Sequence, residues 1–179
     1  MTELYYDEIP SPIGSIFIAC DGDAMCTLYF SDFEERMWQQ LKPRYPDAKL
    51  TRRHDPFGYR TLLDRYFQGD LASIEEIKVT TRGTPFQRKV WHELRSIPAG
   101  STASYGEMAA RIGCPKACRA VGLANGQNPV SIVLPCHRVI GANGSLTGYG
   151  GGLDRKRWLL RHEGQNTTSA QLSMATAHT

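Results

Sequence analysis

Residues 131–152 read SIVLPCHRVIGANGSLTGYGGG and set a cysteine, Cys136, directly against a histidine, His137. A thiol attacks as its thiolate, and a nearby imidazole or cationic setting lowers the cost of forming it. Adjacency does not establish the pairing, because neighbours along a chain often point to opposite faces. A buried, inert cysteine fits the same two residues. Two further features weigh toward chemistry. Gly141, Gly144, Gly148, Gly150, Gly151 and Gly152 surround Tyr149 in a loop too rich in glycine to pack as core. Glu163 closes the last helical pattern, 154–163, where a carboxylate faces the negative end of the helix dipole. Orienting a histidine is a reason for an acid to stand there.

Several elements must position these groups. The run 131–134 predicts a buried strand that Pro135 ends, leaving Cys136 at a strand terminus from which a side chain can face a cleft. Upstream, Thr84-Pro85-x-Gln87 predicts a capping box opening a helix with Phe86, Val90, Leu94 and Ile97 on one face. Ser104-x-x-Glu107 opens a second helix that stops at Gly113. After Cys114-Pro115, residues 116–125 form a third, with Ala117, Ala120, Val121 and Ala124 on one stripe and Gly126 closing it.

Two short helices joined by a Gly-Cys-Pro turn resemble a helix-turn-helix, and a plain αα-hairpin packed in a core fits the same pattern. The later helix is poor in the side chains that read base edges, and Arg119 is the one long reaching group in its middle. A slim helix with one arginine suits a backbone or a narrow groove better than sequence readout.

The first 80 residues have a different character. Ile16, Phe17 and Ile18 lead to Asp21-Gly22-Asp23 and a return from Met25 to Phe30, which predicts a hairpin within 13–30. Asp32 and Glu35 form a capping-box pattern before Phe33, Met37 and Leu41, in a helix that Pro43 ends. A second helix fits 56–68, and 70–83 reads as extended connection. The fold class is therefore α/β of the α+β kind. A small N-terminal α+β domain (1–80) precedes a mainly helical domain (81–165) with the helix-turn-helix and the active-site strand and loop; residues 166–179 read as a flexible tail.

Composition bounds the function. Of 179 residues 41% are hydrophobic, and no run approaches the length of a membrane span. The N-terminus has no basic-then-apolar signal pattern, so a cytoplasmic protein without a membrane partner is expected. The net charge is only +3, but after residue 82 the acids are few: Glu93, Glu107, Asp154 and Glu163. That basic half fits a nucleic-acid face and also an ordinary solvated surface. Five cysteines with no framework spacing point to reduced thiols. Cys20, Cys26 and His54 could supply three zinc ligands, one short of a closed site; two thiols near a hairpin is the simpler reading.

The motif Pro135-Cys136-His137-Arg138-Val139 resembles the acceptor motif of the methylated-DNA–protein-cysteine methyltransferases, the O6-alkylguanine-DNA alkyltransferases, of bacterial type. The resemblance extends through GTPFQRKVW (83–91), IPAG (97–100), SYG (104–106), RAVGLANGQNP (119–129), TGYGGG (147–152) and RKRWLLRHEG (155–164). It implies DNA repair by direct reversal: an irreversible, single-turnover transfer of the alkyl group from O6-alkylguanine, and O4-alkylthymine, to Cys136. His137 would act as base through a water, Glu163 would hold it, and Tyr105 would offer its hydroxyl to the extruded guanine. Arg119 would replace the flipped base, with Ser104, Ala117, Cys118, Ala120 and Gly122 along the face that enters the minor groove of double-stranded DNA. Asn125, Asn128, Val139, Tyr149 and Gly150 would frame the pocket. Gly150 stands where some relatives have serine, so only its backbone N–H can serve.

The resemblance implies a monomer with no cofactor and no metal. Two rival readings remain. A cysteine hydrolase or acyltransferase would use Cys, His and an acid, but has no need of a helix-turn-helix bearing Arg119. A non-catalytic alkyl-lesion-binding protein would keep the fold but lack the acceptor cysteine.

Overall fold

Ile16, Ile18 and Cys20 alternate with Phe17 and Ala19, and both sets are buried, so strand β2 (Ile16–Asp21) is covered on its two faces. It pairs antiparallel with β1 (Glu3–Ile9) and, across the Asp21-Gly22-Asp23 turn, with β3 (Ala24–Phe30). Gly22 has φ +61, which a two-residue hairpin turn demands. A fourth strand, β4 (Lys49–Arg52), joins β1 in parallel and completes the order β3-β2-β1-β4. Helix α1 (Glu34–Arg44) connects the two edges and packs Met37 and Leu41 against Leu4, Phe17, Ala19 and Tyr29. Helix α2 (Tyr59–Phe67) buries Tyr59, Leu63 and Tyr66.

The computed structural model describes residues 1–164, and the expected tail at 166–179 lies outside them. The chain divides into one unit of Met1–Arg82 with Pro129–Val133, and a second of Gly83–Asn128 with the chain from Leu134 on. The second unit contains α3 (Pro85–Leu94), α4 (Tyr105–Arg111), α5 (Cys118–Gly126) and α6 (Leu153–His162). Its only regular sheet among the described residues is the parallel pair β5 (Ala103–Ser104) and β6 (Val139–Ile140). The α+β class holds. No described helix is long and apolar enough to cross a membrane.

The Thr84 capping box forms in full: Thr84 accepts from the Gln87 N–H, and the Gln87 side chain accepts from the Thr84 N–H. Helix α4 ends in a Schellman motif, with Gly113 at φ +77 donating to Ala110 O and Cys114 donating to Ala109 O. Helix α5 follows after a short connection, giving the helix-turn-helix pattern.

Several expectations fail locally. Asp32 does not take the N-cap position of α1, because a 3-10 turn over Ser31–Phe33 intervenes and Phe33 takes it. Pro43 lies inside the last turn of α1, where it removes one helical N–H and stops the helix one residue later. The 56–68 helix is broken: Phe57 has φ 58, so a 3-10 turn over Pro56–Gly58 precedes α2. The stretch 70–83 contains a 3-10 turn over Ser73–Glu76 and a bridge from Val79 to Met25.

The largest departure is at 131–134, which is a sequence of turns and not a strand. Ile132 has φ 72, and Val133 N donates to Ser131 O at 2.8 Å across it, closing a γ-turn. Pro135 (φ −80, ψ 65) closes an inverse γ-turn, with Cys136 N donating to Leu134 O at 2.7 Å. A β-branched residue at positive φ costs on the order of 1–3 kcal/mol, and burial on every side holds it there.

Candidate active site

Cys136 opens a 3-10 turn, Cys136–Arg138, and is only 4% exposed. The proline before it and the β6 pairing after it leave room for a single helical turn, so the thiol sits at the start of that turn and not at a strand end. Asn128 Nδ2 donates to Leu134 O at 2.7 Å, and Asn125 Nδ2 donates to Cys136 O at 3.3 Å. The end of α5 thereby holds the backbone on both sides of Pro135.

His137 is fully buried, and its Nε2 lies 2.9 Å from Glu163 Oε1. An ionised Glu163 makes Nε2 the protonated nitrogen and Nδ1 the acceptor; Nδ1 is buried with no protein hydrogen-bond partner among the described residues. Burial pushes the imidazole below its ordinary value, against the pull of Glu163, so the ring is neutral at pH 7. A neutral imidazole with one nitrogen tied and the other open is the form a base requires.

Glu163 is the C-cap of α6. Its carboxylate meets a fork from Arg138: Nε to Oε1 at 2.8 Å and Nη2 to Oε2 at 2.7 Å. Arg138 Nη1 donates in turn to Ile97 O at 2.7 Å. Burial raises the Glu163 carboxyl, but the Arg138 hydrogen bonds and the His137 ring outweigh it and hold the group well below the ordinary carboxylate range. Its contribution to stability is therefore present above the unfolded value of 4.5 and is lost only as pH falls toward the lower folded one.

Lys156 is the second buried cation. Its Nζ donates to Val139 O at 2.7 Å, Thr147 O at 2.9 Å and Gly148 O at 3.2 Å, which uses all three N–H groups. Burial lowers it to about 8, with Cys136 pulling the other way, so it remains mostly ammonium at pH 7. The Tyr105 hydroxyl donates to the same Thr147 carbonyl at 3.1 Å, and burial raises its pKa, keeping it a proton donor. Lys156, Val139, Thr147 and Tyr105 thus form one connected frame. Tyr149 and Gly150 follow in the loop, half-buried.

Ser104 caps α4 by accepting from Glu107 N at 3.0 Å, which fixes Tyr105 at the helix start. Gly122 faces the Tyr105 ring, where an added Cβ would rest 3.8 Å from it. Ala117 is the N-cap of α5, and Cys118, Arg119 and Ala120 are exposed on its first turn. Arg119 has no hydrogen-bond or ion-pair partner among the described residues.

Sequence reasoning brought Cys136, His137 and Glu163 together but missed Arg138, Lys156 and Thr147. Lys156 carried a signal: with Leu159, Leu160 and Glu163 it occupies the buried stripe of α6, where an unpaired lysine is not tolerated. Among the described residues no cluster of three or more His, Cys, Asp or Glu could hold a metal. Cys20 and Cys26 are instead buried in the sheet, their thiols pushed by burial up to about 12 and about 11, and Cys26 donates to Ala19 O.

Substituting Glu163→Gln should slow the chemistry of this site about tenfold and move its low-pH limit further into acid, since burial and Arg138 would then act on His137 unopposed. The Arg138 guanidinium would lose its charge partner, costing about 3 kcal/mol. Rate against pH and a thermal melt, read on the same protein, check both parts. A rate that falls with no movement of its low-pH limit would show a structural role alone.

Residues 85–165 match the family model of the 6-O-methylguanine DNA methyltransferase DNA binding domain, and residues 4–81 match that of its ribonuclease-like domain. The methylated-DNA–protein-cysteine methyltransferase of Salmonella typhimurium is 47% identical over 167 residues, which cover 92% of this chain and 98% of that protein. Among solved structures, the O6-methylguanine methyltransferase of Mycobacterium tuberculosis matches with TM-score 0.74 and 41% identity, over 95% of this chain and 99% of that one. Mycobacterium tuberculosis OGT in complex with DNA matches with TM-score 0.75 and 44% identity, over 89% and 93% of the two chains.

Proposed function

The chain belongs to the methylated-DNA–protein-cysteine methyltransferase family, and on that footing we propose that Cys136 is the thiol that removes the alkyl group from O6-alkylguanine in duplex DNA. Its activity is DNA repair by alkyl transfer to a protein cysteine. The observation that carries the residue assignment is the buried His137, tied to Glu163 through Nε2 and open at Nδ1, one residue from Cys136.

The proton of the Cys136 thiol passes through a water to His137 Nδ1, and the imidazolium that forms is stabilised by Glu163. The thiolate attacks the alkyl carbon in line. The S–C bond forms as the C–O6 bond breaks, and the electron pair leaves with the guanine. Tyr105, turning its hydroxyl from Thr147 O to the guanine, donates a proton to the departing base. Val139, Asn125, Asn128, Tyr149 and Gly150 frame the pocket, and Lys156 holds its walls through the Val139, Thr147 and Gly148 carbonyls.

Residues 81–165 carry DNA binding and alkyl acceptance on this reading, and 1–80 form a separate α+β domain. The face of Ser104, Tyr105, Ala117, Cys118, Arg119, Ala120 and Gly122 enters the minor groove, with Arg119 in the gap of the flipped base. The protein acts as a monomer in the cytoplasm, in keeping with five free cysteines.

A thioether does not release its alkyl group without a further reagent, so each molecule acts once. With O6-methylguanine duplex in excess, lesion loss should follow a burst that stops at one equivalent of protein, and the intact protein should gain a single methyl group. Sustained turnover would instead identify a hydrolase.

A further inference from the structure

On α5, Val121, Ala124 and Asn125 are buried. Helical periodicity then puts Arg119, Leu123 and Gly126, at i, i+4 and i+7, on the opposite stripe. Leu123 is 65% exposed. Among the described residues it is the sole large apolar side chain so exposed in the second unit, the others being Met1, Phe33 and Phe57 of the first. Gly122 and Gly126 beside it carry no side chain to cover it, and a Cβ built at Gly126 would meet nothing within 4 Å. The helix is slim everywhere on its outer face except at these two positions, one cationic and one aliphatic, a single turn apart.

We infer that Leu123 is an apolar wedge for duplex DNA, lying in the minor groove one turn beyond Arg119 and packing on the deoxyribose walls beside the displaced base. This rests on the reading of α5 as the DNA-facing helix. An aliphatic side chain can make no hydrogen bond to a base edge, so its contact is indifferent to sequence, as a search for a lesion requires. Its gain is the removal of apolar surface from water, which a widened groove with exposed sugar carbons and an unstacked step supplies and a closed B-form groove does not. Arg119 and Leu123 would therefore act on the same opened step, one through charge and the other through burial.

The test compares Leu123→Gln and Leu123→Ala with the unaltered protein on two substrates, O6-methylguanine duplex at limiting concentration and free O6-benzylguanine. Exposure of the site leaves folding intact, and a thermal melt verifies this. Both variants should transfer from the duplex about tenfold more slowly, about 1.4 kcal/mol, with the free base unaffected, and Leu123→Met should restore the duplex rate. An unchanged duplex rate overturns the inference, as do equal losses on the two substrates. A change only in self-association without DNA would assign Leu123 to a protein contact and overturn it as well. The functional reading fails separately, if the unaltered protein takes no alkyl group from the duplex.

Discussion

Cys136→Ala should accept no alkyl group from O6-methylguanine duplex, a loss on the order of 10⁶-fold, while binding the same DNA as well as the unaltered protein. On the proposed assignment the Cys136 sulfur forms the new bond, so no neighbouring group can substitute for part of its role. Four other cysteines are present, and the structure ranks them. Cys20 and Cys26 lie inside the sheet with pKa values raised by burial, and carry negligible thiolate at pH 7. Cys118 is the sharper control, being exposed at the start of α5 beside Arg119. It has no histidine next to it in the chain, whereas Cys136 is followed by His137, which Glu163 holds. Peptide mapping of the alkylated protein should find the group on the peptide containing Cys136. Alkyl on Cys114 or Cys118 would displace the assignment even if the stoichiometry were one.

Arg119→Ala should slow transfer from duplex DNA about 100-fold and leave transfer from free O6-benzylguanine unchanged. Drawing a base out of the stack costs a few kcal/mol, and a side chain that fills the gap offsets part of that cost; about 2–3 kcal/mol corresponds to the expected factor. The free base needs no extrusion and bypasses the step. Arg119 is exposed and bonded to no described residue, so its removal should not disturb the fold. Tyr105→Phe supplies the contrast, because a proton donor to the leaving guanine is needed for both substrates. Equal losses for Arg119→Ala on the two substrates would mean that it shapes the pocket and does not hold the duplex.

Much of the second unit was legible because its signals are local. Thr84 and Gln87 satisfy each other's backbone N–H groups within one turn, and the Ser104 side chain accepts from the Glu107 N–H at the start of α4. Gly113 supplies the left-handed residue that its helix end requires. The same kind of reasoning failed at Asp32, where the pattern was right but a 3-10 turn had already used the position. Strands β1 and β4 escaped notice for a related reason. Asp7, in the middle of β1, is almost fully buried, and its charge is met by Arg60 at 3.3 Å and by the N–H of Asp55 at 3.1 Å, partners that no reading of residues 3–9 alone reveals.

By itself the sequence put forward Cys136 as the candidate nucleophile, His137 beside it, Glu163 at the end of the last helix and Arg119 on the short helix, through a motif resemblance and, for Glu163, a helix position that is awkward without a partner. It marked helices α3 and α4 through local signals, a cap and a 3.6-residue stripe that lie within one or two turns of chain. Only the tertiary structure decided how those groups are held. A run of apolar residues at 131–134 reads as strand, yet the chain bends through two γ-turns there, because packing around Ile132 outweighs the strain of its positive φ. Arg138 and Lys156 are ordinary surface residues by composition. They become buried cations because Glu163 in one case, and three backbone carbonyls in the other, supply the hydrogen bonds without which a charge cannot leave water. Those partners lie 8 to 25 residues away along the chain and follow no period, so only the folded chain could bring them together.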